Sequence, residues 1–339
     1  MNDIFINVEE EAVYPSSSSS FSPHIAYPEY KWSSSGISGS RNDVYDMVRS
    51  CLIGLGMDSA NTGTEKWNPF GEFIREGDTV VIKPNWVMHF NKNKNVSENA
   101  LECLFTHPSV VRPVIDYCLI ALNGTGRIIV GDAPMQGCDL EELIEISGYK
   151  ELFSFYNQKG LDINPVDFRQ FATLVDKNKV LTGRKYNKNQ GLEVDLKEKS
   201  RFSTIGSARR YKVSDYNENT TASYHNDQKH SYLINSDVIS ADVIINLCKP
   251  KCHRLAGITA AVKNIVGITY DKACLPHRTI GSRQDGGDEY LHRSIIKKLI
   301  AWVLAWKIKF EEQNKLRLSL ANAISIWITI LSDESCKQG

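Results

Sequence analysis

The sequence has no excess of charge of either sign. Its 339 residues include 40 lysines and arginines and 40 aspartates and glutamates, so the formal net charge is zero. Such a chain has no overall attraction for nucleic acid or anionic lipid, and a charged partner must be bound by a local patch. We therefore expect no nucleic-acid partner. The hydrophobic share of 42% argues against a disordered chain.

The sequence also lacks an apolar run long enough to cross a bilayer. Residues 318–331 are uncharged, but polar residues interrupt them, and they are fewer than the roughly 20 that a membrane-spanning helix needs. No transmembrane segment is therefore predicted, and we expect a packed helix. The alternative is a helix at a membrane surface, because Trp302 and Trp306 precede this stretch among aliphatic residues and lysines.

Neither a disulfide framework nor an export signal can be recognised. The eight cysteines are scattered, several within apolar segments, which is typical of reduced, buried thiols. The N-terminus has no basic segment followed by a long apolar stretch. We therefore predict a cytoplasmic protein. The two common nucleotide-binding loops are absent as well, since there is no Walker loop and the Gly124 to Gly126 turn precedes a predicted strand.

The chain does contain an alternation of strand-like and helix-like segments. Short apolar runs predict buried strands at residues 79–82, 127–130 and 242–247. Apolar periodicity predicts helices at residues 42–56, 109–122, 140–147 and about 255–265. Because strands and helices alternate, we predict an α/β fold with a mostly parallel sheet and helices on both faces.

Composition suggests how the chain is divided. Residues 1–40 contain serine runs and prolines that bury little, so we predict a flexible N-terminal arm. Residues 41–300 are predicted to form the α/β domain, and the polar stretch at about 186–230 to form a polar insertion or small subdomain. Residues 301–339 are predicted to form a C-terminal helical tail.

Polar side chains follow each of the three predicted strands directly. They are Lys83 and Asn85 after the first strand, Asp132 after the second, and Lys249, Lys251 and His253 after the third. Ligands of open parallel sheets bind beyond the carboxyl ends of the strands. We predict that the lysines and Asn85 bind a substrate there. His253, whose ordinary pKa lies near neutral pH, and Asp132 are predicted to transfer protons.

The segment that follows the third strand is strongly basic. Residues 249–283 contain seven lysines and arginines and a single acidic residue, Asp271. Lys263 interrupts an otherwise apolar predicted helix, so we expect it to be partly buried. We predict that Lys263 and Arg278 clamp a phosphate or carboxylate, that Asn264 orients it, and that backbone amides near Leu255 add donors.

Two metal-based alternatives use other residues. The acidic side chains of a glycine-rich loop could hold a divalent cation that bridges to the anion, or form a plain turn. These side chains are Asp285, Asp288 and Glu289. Thiol and imidazole groups also lie close together in Cys248, Cys252 and His253, which suggests a metal or redox site, although their spacing is irregular.

Six motifs together resemble a family known as domain of unknown function 362, DUF362. They are VIKPN at 81–85, THPSVVR at 106–112, GDAPMQGC at 131–138, INLCKPKCH at 245–253, GITAAVKNIVG at 257–267 and GGDEY at 286–290. The resemblance implies an α/β fold and a shared site at the strand edge, and it supplies no reaction.

The chain departs from this family in three respects. Cys248 and Cys252 replace the usual proline and threonine, which weakens the metal hypothesis. The ferredoxin-like cysteine segment of many relatives is absent, so we expect no iron–sulfur cluster. The resemblance fades after about Ile300, which indicates a divergent or truncated tail.

These observations lead to one function with two alternatives. We expect a cytoplasmic enzyme that binds a small anionic substrate, phosphorylated or carboxylated, at the carboxyl edge of the sheet. The same pocket would also suit a non-catalytic binding or accessory protein. A metal or redox protein that uses Cys248, Cys252 and His253 is the third possibility.

Overall fold

The structure, a computed structural model, describes residues 4–91, 98–175, 181–204, 211–213, 216–253 and 256–312. The chain divides into two compact units. The first unit comprises Met1–Ala172, Lys185–Asn189 and Asn235–Ile268, and the second comprises Thr173–Arg184, Gln190–Ile234 and Thr269–Gly339. The division at residues 40, 186–230 and 300 that composition suggests stays a prediction.

The α-helices range from one turn to five turns, and short 3-10 turns such as Ile265–Ile268 supplement them. The described helices are α1 (Asp43–Gly54), α2 (Pro108–Leu122), α3 (Leu140–Ile146), α4 (Tyr149–Gln158), α5 (Glu218–Tyr224), α6 (Ser236–Ile239), α7 (Ala261–Asn264) and α8 (Ile295–Glu312).

The strands are short. The described strands are β1 (Thr79–Lys83), β2 (Arg127–Asp132), β3 (Pro165–Asp167), β4 (Phe171–Val175), β5 (Leu181–Tyr186), β6 (Gly191–Asp195), β7 (Tyr211–Lys212), β8 (His225–Asn226), β9 (Lys229–Asn235), β10 (Val243–Asn246), β11 (Lys251–His253), β12 (Gly257–Thr259) and β13 (Arg278–Thr279).

Four strands of the first unit form a parallel sheet in the order β10, β1, β2, β3. Val81 of β1 pairs with Ile244 of β10 and with Ile129 of β2, and Asp132 of β2 pairs with Asp167 of β3. The aliphatic residues at 80–82 are fully buried although they point alternately to both faces, as expected of a central parallel strand. The predicted α/β fold with a mostly parallel sheet is confirmed.

Helix α2 packs against β1 and β2, and α1 packs on α2. The buried guanidinium of Arg112 in α2 pairs with Asp116 at 2.9 Å and donates to the carbonyl of Ser20 and the hydroxyl of Tyr30, each at 2.8 Å. Phe21 and Tyr30 are buried as well. The expectation that residues 1–40 bury little is therefore wrong for this part of the N-terminal segment.

One predicted helix begins as expected and another does not exist. The side chain of Asn42 accepts a hydrogen bond from the Tyr45 amide and caps α1, which confirms the predicted start of that helix. The helix predicted at about 255–265 is wrong, because β12 occupies residues 257–259 and α7 has only four residues. Gly257 has a φ of +75°, which a right-handed helix excludes, and it pairs with His253 of β11.

The second unit contains small antiparallel sheets. Strand β9 lies between β6 and β8, and β13 pairs with β7. Strands β6 and β7 lie within the polar stretch at about 186–230.

None of the helices in the described ranges is long and apolar enough to span a membrane. Helix α8 begins at Ile295, before the predicted C-terminal tail, and its described residues run to Glu312. The apolar stretch at 318–331 lies outside the described residues.

Candidate functional site

The strand order reverses at one position of the sheet edge. From β1 the chain proceeds to β2 and β3 on one side, whereas β10 pairs with β1 on the other side. The loops after β1 and β10 therefore leave the sheet at the point where the strand order reverses. In open parallel sheets this switch point is where ligands bind.

A buried ion pair lies at this edge. The Nζ atom of Lys83 is 2.8 Å from Oδ1 of Asp132, and both side chains are almost fully excluded from solvent, with exposures of 0% and 3%. Lys83 also donates to the Pro84 carbonyl at 2.7 Å and to Oδ1 of Asn264 at 3.3 Å. Burial lowers the pKa of Lys83, and the Asp132 carboxylate opposes this shift. Lys83 thus has one ion-pair partner and two hydrogen-bond acceptors within the protein.

Asp132 connects β2 to the loop after β1. Its Oδ2 atom accepts a hydrogen bond of 2.6 Å from the backbone amide of Trp86. The amide of Met135 donates to the carbonyl of Val87, which joins the same two loops a second time. In this structure the Asp132 carboxylate contacts the Trp86 amide and the Lys83 ammonium group. Proton transfer by Asp132 therefore stays a prediction.

Gly267 covers the ion pair. A Cβ atom at this position would overlap Oδ1 of Asp132 and lie 2.6 Å from Nζ of Lys83. The carbonyl of Gly267 also accepts a hydrogen bond of 2.7 Å from the amide of Ala133. Only glycine allows the 3-10 turn Ile265–Ile268 to approach the pair this closely.

Two asparagines tie α7 to the strand ends. Nδ2 of Asn264 donates to Oδ1 of Asn246 at 2.6 Å and to the Lys83 carbonyl at 3.3 Å. Asn246 in turn donates to the carbonyl of Ala261 at 2.9 Å. Asn264 is buried, so its contacts in this structure are with the protein, and its predicted contact with a substrate remains untested.

Thr106 joins the loops on either side of the switch point. Its hydroxyl accepts from the amide of Asn85 at 2.9 Å and donates to the carbonyl of Leu247 at 2.7 Å. The amide of Thr106 completes the link by donating to the Asn85 carbonyl at 2.8 Å. One buried side chain therefore links the loop after β1 to the loop after β10.

The hairpin of β11 and β12 follows β10 and presents two of the predicted residues together. Lys251 and His253 are alternate residues of β11, so their side chains lie on one face and that of Cys252 lies on the other. Nδ1 of His253 accepts a hydrogen bond of 3.1 Å from the Ala256 amide. The neutral imidazole therefore carries its proton on Nε2.

Lys251 differs from Lys83 in lacking a partner. It is half-buried, and within the described part of the chain its Nζ atom has no hydrogen bond or ion pair. Burial lowers the pKa of Lys251 to about 8, Cys103 and Asp132 oppose the shift, and the positive charges of Lys249 and Lys83 contribute to it. An anion placed beside Lys251 would replace the hydration that burial removes.

Lys249 is half-buried and contacts the N-terminal segment. Its Nζ atom donates to the hydroxyl of Tyr14 at 2.8 Å and lies 4.9 Å from the centre of that ring. Tyr14 stacks on His107 with ring centres 4.0 Å apart. Burial and the Lys249 charge lower the pKa of His107 to about 3, so this imidazole is neutral.

The remaining predicted substrate ligands are placed differently. The side-chain amide of Asn85 is half-buried and has no partner among the residues described. Lys263 is exposed on α7, so the expectation that it is partly buried in a long apolar helix is wrong. Arg278 belongs to β13 of the second unit. Leu255, near which backbone donors are predicted, lies outside the described residues.

The three carboxylates of the acidic loop in the second unit all have partners within that unit. Asp285 pairs with Arg293 at 2.7 Å, Asp288 accepts from the Thr279 amide at 2.7 Å, and Glu289 pairs with Lys212 at 3.1 Å. Across the described residues, no group of three or more histidine, cysteine, aspartate or glutamate side chains is arranged to hold a metal ion. The described residues therefore provide no ligand cluster for either of the two metal-based alternatives.

Comparison with known proteins identifies the family. A family model described as "Domain of unknown function (DUF362)" matches residues 80–189 and 157–336, which together span most of the chain. The chain belongs to the DUF362 family. Searches of the curated proteins and of the solved structures find no match.

The DUF362 match includes both strands that border the switch point and the hairpin that carries Lys251. It also extends to residue 336, whereas the resemblance seen in the sequence motifs fades near Ile300. The C-terminal residues up to 336 therefore belong to the DUF362 region.

Sequence reasoning missed three residues that shape this DUF362 site. Thr106 and Gly267 lie within motifs that carry the family resemblance, but a spacing pattern does not show that a hydroxyl bridges two loops or that a glycine covers an ion pair. Tyr14 lies in a segment that composition marks as an arm, so no local signal pointed to its contact with Lys249.

Proposed function

We propose that this DUF362 protein is an enzyme that binds a small phosphorylated or carboxylated molecule in the crevice between the loops after β1 and β10. One observation carries the proposal: Lys251 is a half-buried cation at this edge to which the described residues offer no partner. Removing a charge from water without pairing it costs free energy. An anionic ligand would provide the pairing.

The neighbours of Lys251 support an anionic ligand. Lys249 lies two residues before it, and the positive charges of Lys249 and Lys83 both act on its pKa. The side-chain amide of Asn85 at the opposite loop offers a donor and an acceptor. We assign contact with the ligand to Lys251, Lys249 and Asn85.

Lys83, Asp132 and Asn264 act as positioning residues in this proposal. They are buried and joined by the Lys83–Asp132 ion pair and the Lys83–Asn264 hydrogen bond, so direct contact with a ligand would require displacing one of these contacts. They hold the loop after β1 and helix α7 against the sheet, and they preorganise the crevice. Lys263 and Arg278 stay predictions as further ligands.

His253 is the group that we propose for proton transfer. Its position on the same face of β11 as Lys251 brings the imidazole to the side of the proposed ligand. Because Nδ1 accepts from the Ala256 amide, Nε2 carries the proton of the neutral ring, and this N–H would form the hydrogen bond to the ligand along which a proton moves.

Binding without turnover is the second candidate. The observation that favours it is the state of Asp132, the other predicted proton-transfer group, whose carboxylate is engaged by Lys83 and by the Trp86 amide. A protein of this kind would use the same anion site as a receptor or accessory protein. On the ground of its scattered cysteines, we propose a cytoplasmic location for either activity.

A thermal-shift experiment tests the anion site. The probes are inorganic phosphate, pyrophosphate, citrate and oxalate, added to the purified full chain. We expect at least one anion to raise the melting temperature by binding the native state. This shift should disappear in Lys251→Met and persist in Lys66→Met, whose lysine is exposed in the same unit. Equal shifts in both variants would overturn the assignment of Lys251.

A second measurement separates the two candidates. The anion that stabilises the protein is incubated with it and then analysed by mass spectrometry. Conversion that His253→Gln slows, without loss of binding, supports the enzyme. Complete recovery of the unchanged anion supports the binding protein.

A further inference from the structure

The second unit contains a cavity that shares no residue with the proposed anion site. It has a volume of about 230 Å³, and its lining includes Phe202, Tyr211, His225 and His230. An apolar cavity of roughly 150 Å³ is large enough for benzene. The space in the second unit therefore suits a ligand with two fused rings.

Two buried imidazoles line this cavity side by side. His225 of β8 and His230 of β9 are paired residues of a tight hairpin, so both side chains lie on the same face. Their ring centres are 5.7 Å apart, and their exposures are only 4% and 8%. Within the described residues, neither Nδ1 atom has a hydrogen-bond partner.

The hydrogen bond of His225 determines which kind of partner its free nitrogen needs. Nε2 lies 2.6 Å from the carbonyl oxygen of Cys274, so this nitrogen carries the proton and donates it. Burial lowers the pKa of His225, the hydrogen bond to the Cys274 carbonyl opposes this shift, and the net lowering favours the neutral ring. Nδ1 of His225 is consequently a buried acceptor that only a donor can satisfy.

Aromatic rings border the imidazoles. The rings of Phe202 and Tyr211 lie 5.9 and 6.0 Å from that of His225, and they pack edge to face with each other at 5.3 Å. Such a cluster favours a planar ligand that fits between ring faces and edges.

The charges around the cavity do not favour an anion. Lys229 is neutralised by Glu193 at 2.5 Å. The other charged residues of the lining are Lys197, Glu198 and Asp227, which leave an excess of negative charge. This environment suits a neutral or weakly cationic ligand.

We propose that the second unit binds a planar nitrogen heterocycle, of the size of a purine, that donates N–H groups to Nδ1 of His225 and His230. The ligand would lie against Phe202 and Tyr211. The site is independent of the proposed anion binding, because all of its residues belong to the second unit.

The test uses two probes of nearly equal size and different donor content. 2-Aminobenzimidazole carries several N–H donors, and 1-methylbenzimidazole carries none. Binding to the full chain is measured by calorimetry and by the imidazole nitrogen shifts of protein labelled with nitrogen-15 at histidine. We expect 2-aminobenzimidazole to shift the Nδ1 signals of His225 and His230 and to bind at least about tenfold more tightly than its methylated counterpart.

Two variants locate the site. His230→Phe retains an aromatic ring and should weaken binding of 2-aminobenzimidazole by about tenfold, because one acceptor is lost. His292→Phe alters an exposed histidine of the same unit and should leave binding unchanged. The nitrogen shifts of the unaltered chain keep the test decisive if His230→Phe does not fold.

Three results would overturn the proposal. Equal binding of both probes would show that apolar contact alone fills the cavity. Nitrogen shifts that appear when Zn²⁺ is added to the protein, but with neither probe, would identify a metal site. The absence of any shift would show that the two nitrogens bind only water.

Discussion

Lys83 and Lys251 lie close to the same sheet edge but differ in their partners. Lys83 has an ion-pair partner and two hydrogen-bond acceptors, whereas no described residue pairs with Lys251. A fully paired buried lysine contributes to structure, and an unpaired one is available to a ligand. From sequence, both are simply lysines at the ends of strands, so only the geometry distinguishes their roles.

Replacing Lys83 should destabilise the protein strongly. Lys83→Met would leave the buried Asp132 carboxylate without its counter-ion, which costs about 3–5 kcal/mol of unfolding free energy. Denaturant unfolding of Lys83→Met, Asp132→Asn and the double variant checks this. We expect the double variant to lose less stability than the sum of the single losses. Additive losses, or a loss below about 1 kcal/mol in Lys83→Met, would show that the pair is not coupled.

The chemical reactivity of Lys251 should depend on pH in a distinctive way. Because its pKa is lowered to about 8, its reactive neutral form is already abundant at pH 8 and nearly complete above pH 9. An exposed lysine of ordinary pKa reaches half its full reactivity only near pH ~10. Pulse labelling with acetic anhydride, followed by mass spectrometry, measures the reactivity of Lys251 and of the exposed lysines at each pH. Labelling of Lys251 that keeps rising to pH 10 together with exposed lysines would contradict the lowered pKa.

At the scale of elements, the loops after β1 and β10 are held at a fixed distance by Thr106. Thr106→Val would leave the Asn85 amide and the Leu247 carbonyl without their side-chain partner, at a cost of about 2–4 kcal/mol. Hydrogen exchange at the Asn85 amide should become faster. Thr106→Ser keeps the hydroxyl and should restore protection. If the Asn85 amide exchanged as slowly in Thr106→Val as in the native chain, Thr106 would not be the residue that links the two loops.

The 3-10 turn Ile265–Ile268 tolerates no side chain at Gly267. Gly267→Ala would force a methyl group against the Lys83 and Asp132 pair, and we expect it to cost about 1–3 kcal/mol or more. Gly137→Ala is the matched control, because a Cβ there has no neighbour within 4 Å, and it should change stability by less than about 0.5 kcal/mol. Similar melting temperatures of the two variants would contradict the close approach.

Several elements were predictable because local pattern and burial agree. The apolar runs of β1, β2 and β10 lie in a parallel sheet, and Asn42 caps α1 where its residue type suggests. The apolar run after Gly257 misled the prediction of a long helix, since its side chains are not core residues, and Val262 is 91% exposed. β3 has only three residues, too few for a recognisable period.

At the scale of the whole molecule, the N-terminal segment is part of the first unit. Its serine and proline content suggests an arm, but long-range contacts such as those of Arg112 with Ser20 and Tyr30 bury part of it. Contacts between residues so far apart in sequence cannot be predicted from composition. The site shows the same limit. The sequence indicated which residues follow the strands, but the strand order that places the loops after β1 and β10 at a switch point appears only in the fold.

Deletion of residues 1–40 should therefore destabilise the protein. It would remove buried Phe21 and Tyr30 and leave Arg112 without two acceptors, so we expect a loss of more than about 5 kcal/mol or failure to fold. Most side chains of the described residues 4–12 are exposed, so deletion of residues 1–12 should cost far less. Equal thermal stability of the longer deletion and the full chain, measured by calorimetry, would contradict this packing.

The central claim, an anion bound at the switch point, is tested most directly by locating an anion in crystals. Tungstate mimics phosphate, and its anomalous scattering identifies it. We expect an anomalous peak within hydrogen-bonding distance of Nζ of Lys251, in contact with Lys249 or Asn85, which is absent from Lys251→Met crystals. Peaks found only at exposed lysines, or an unchanged peak in Lys251→Met, would contradict the claim.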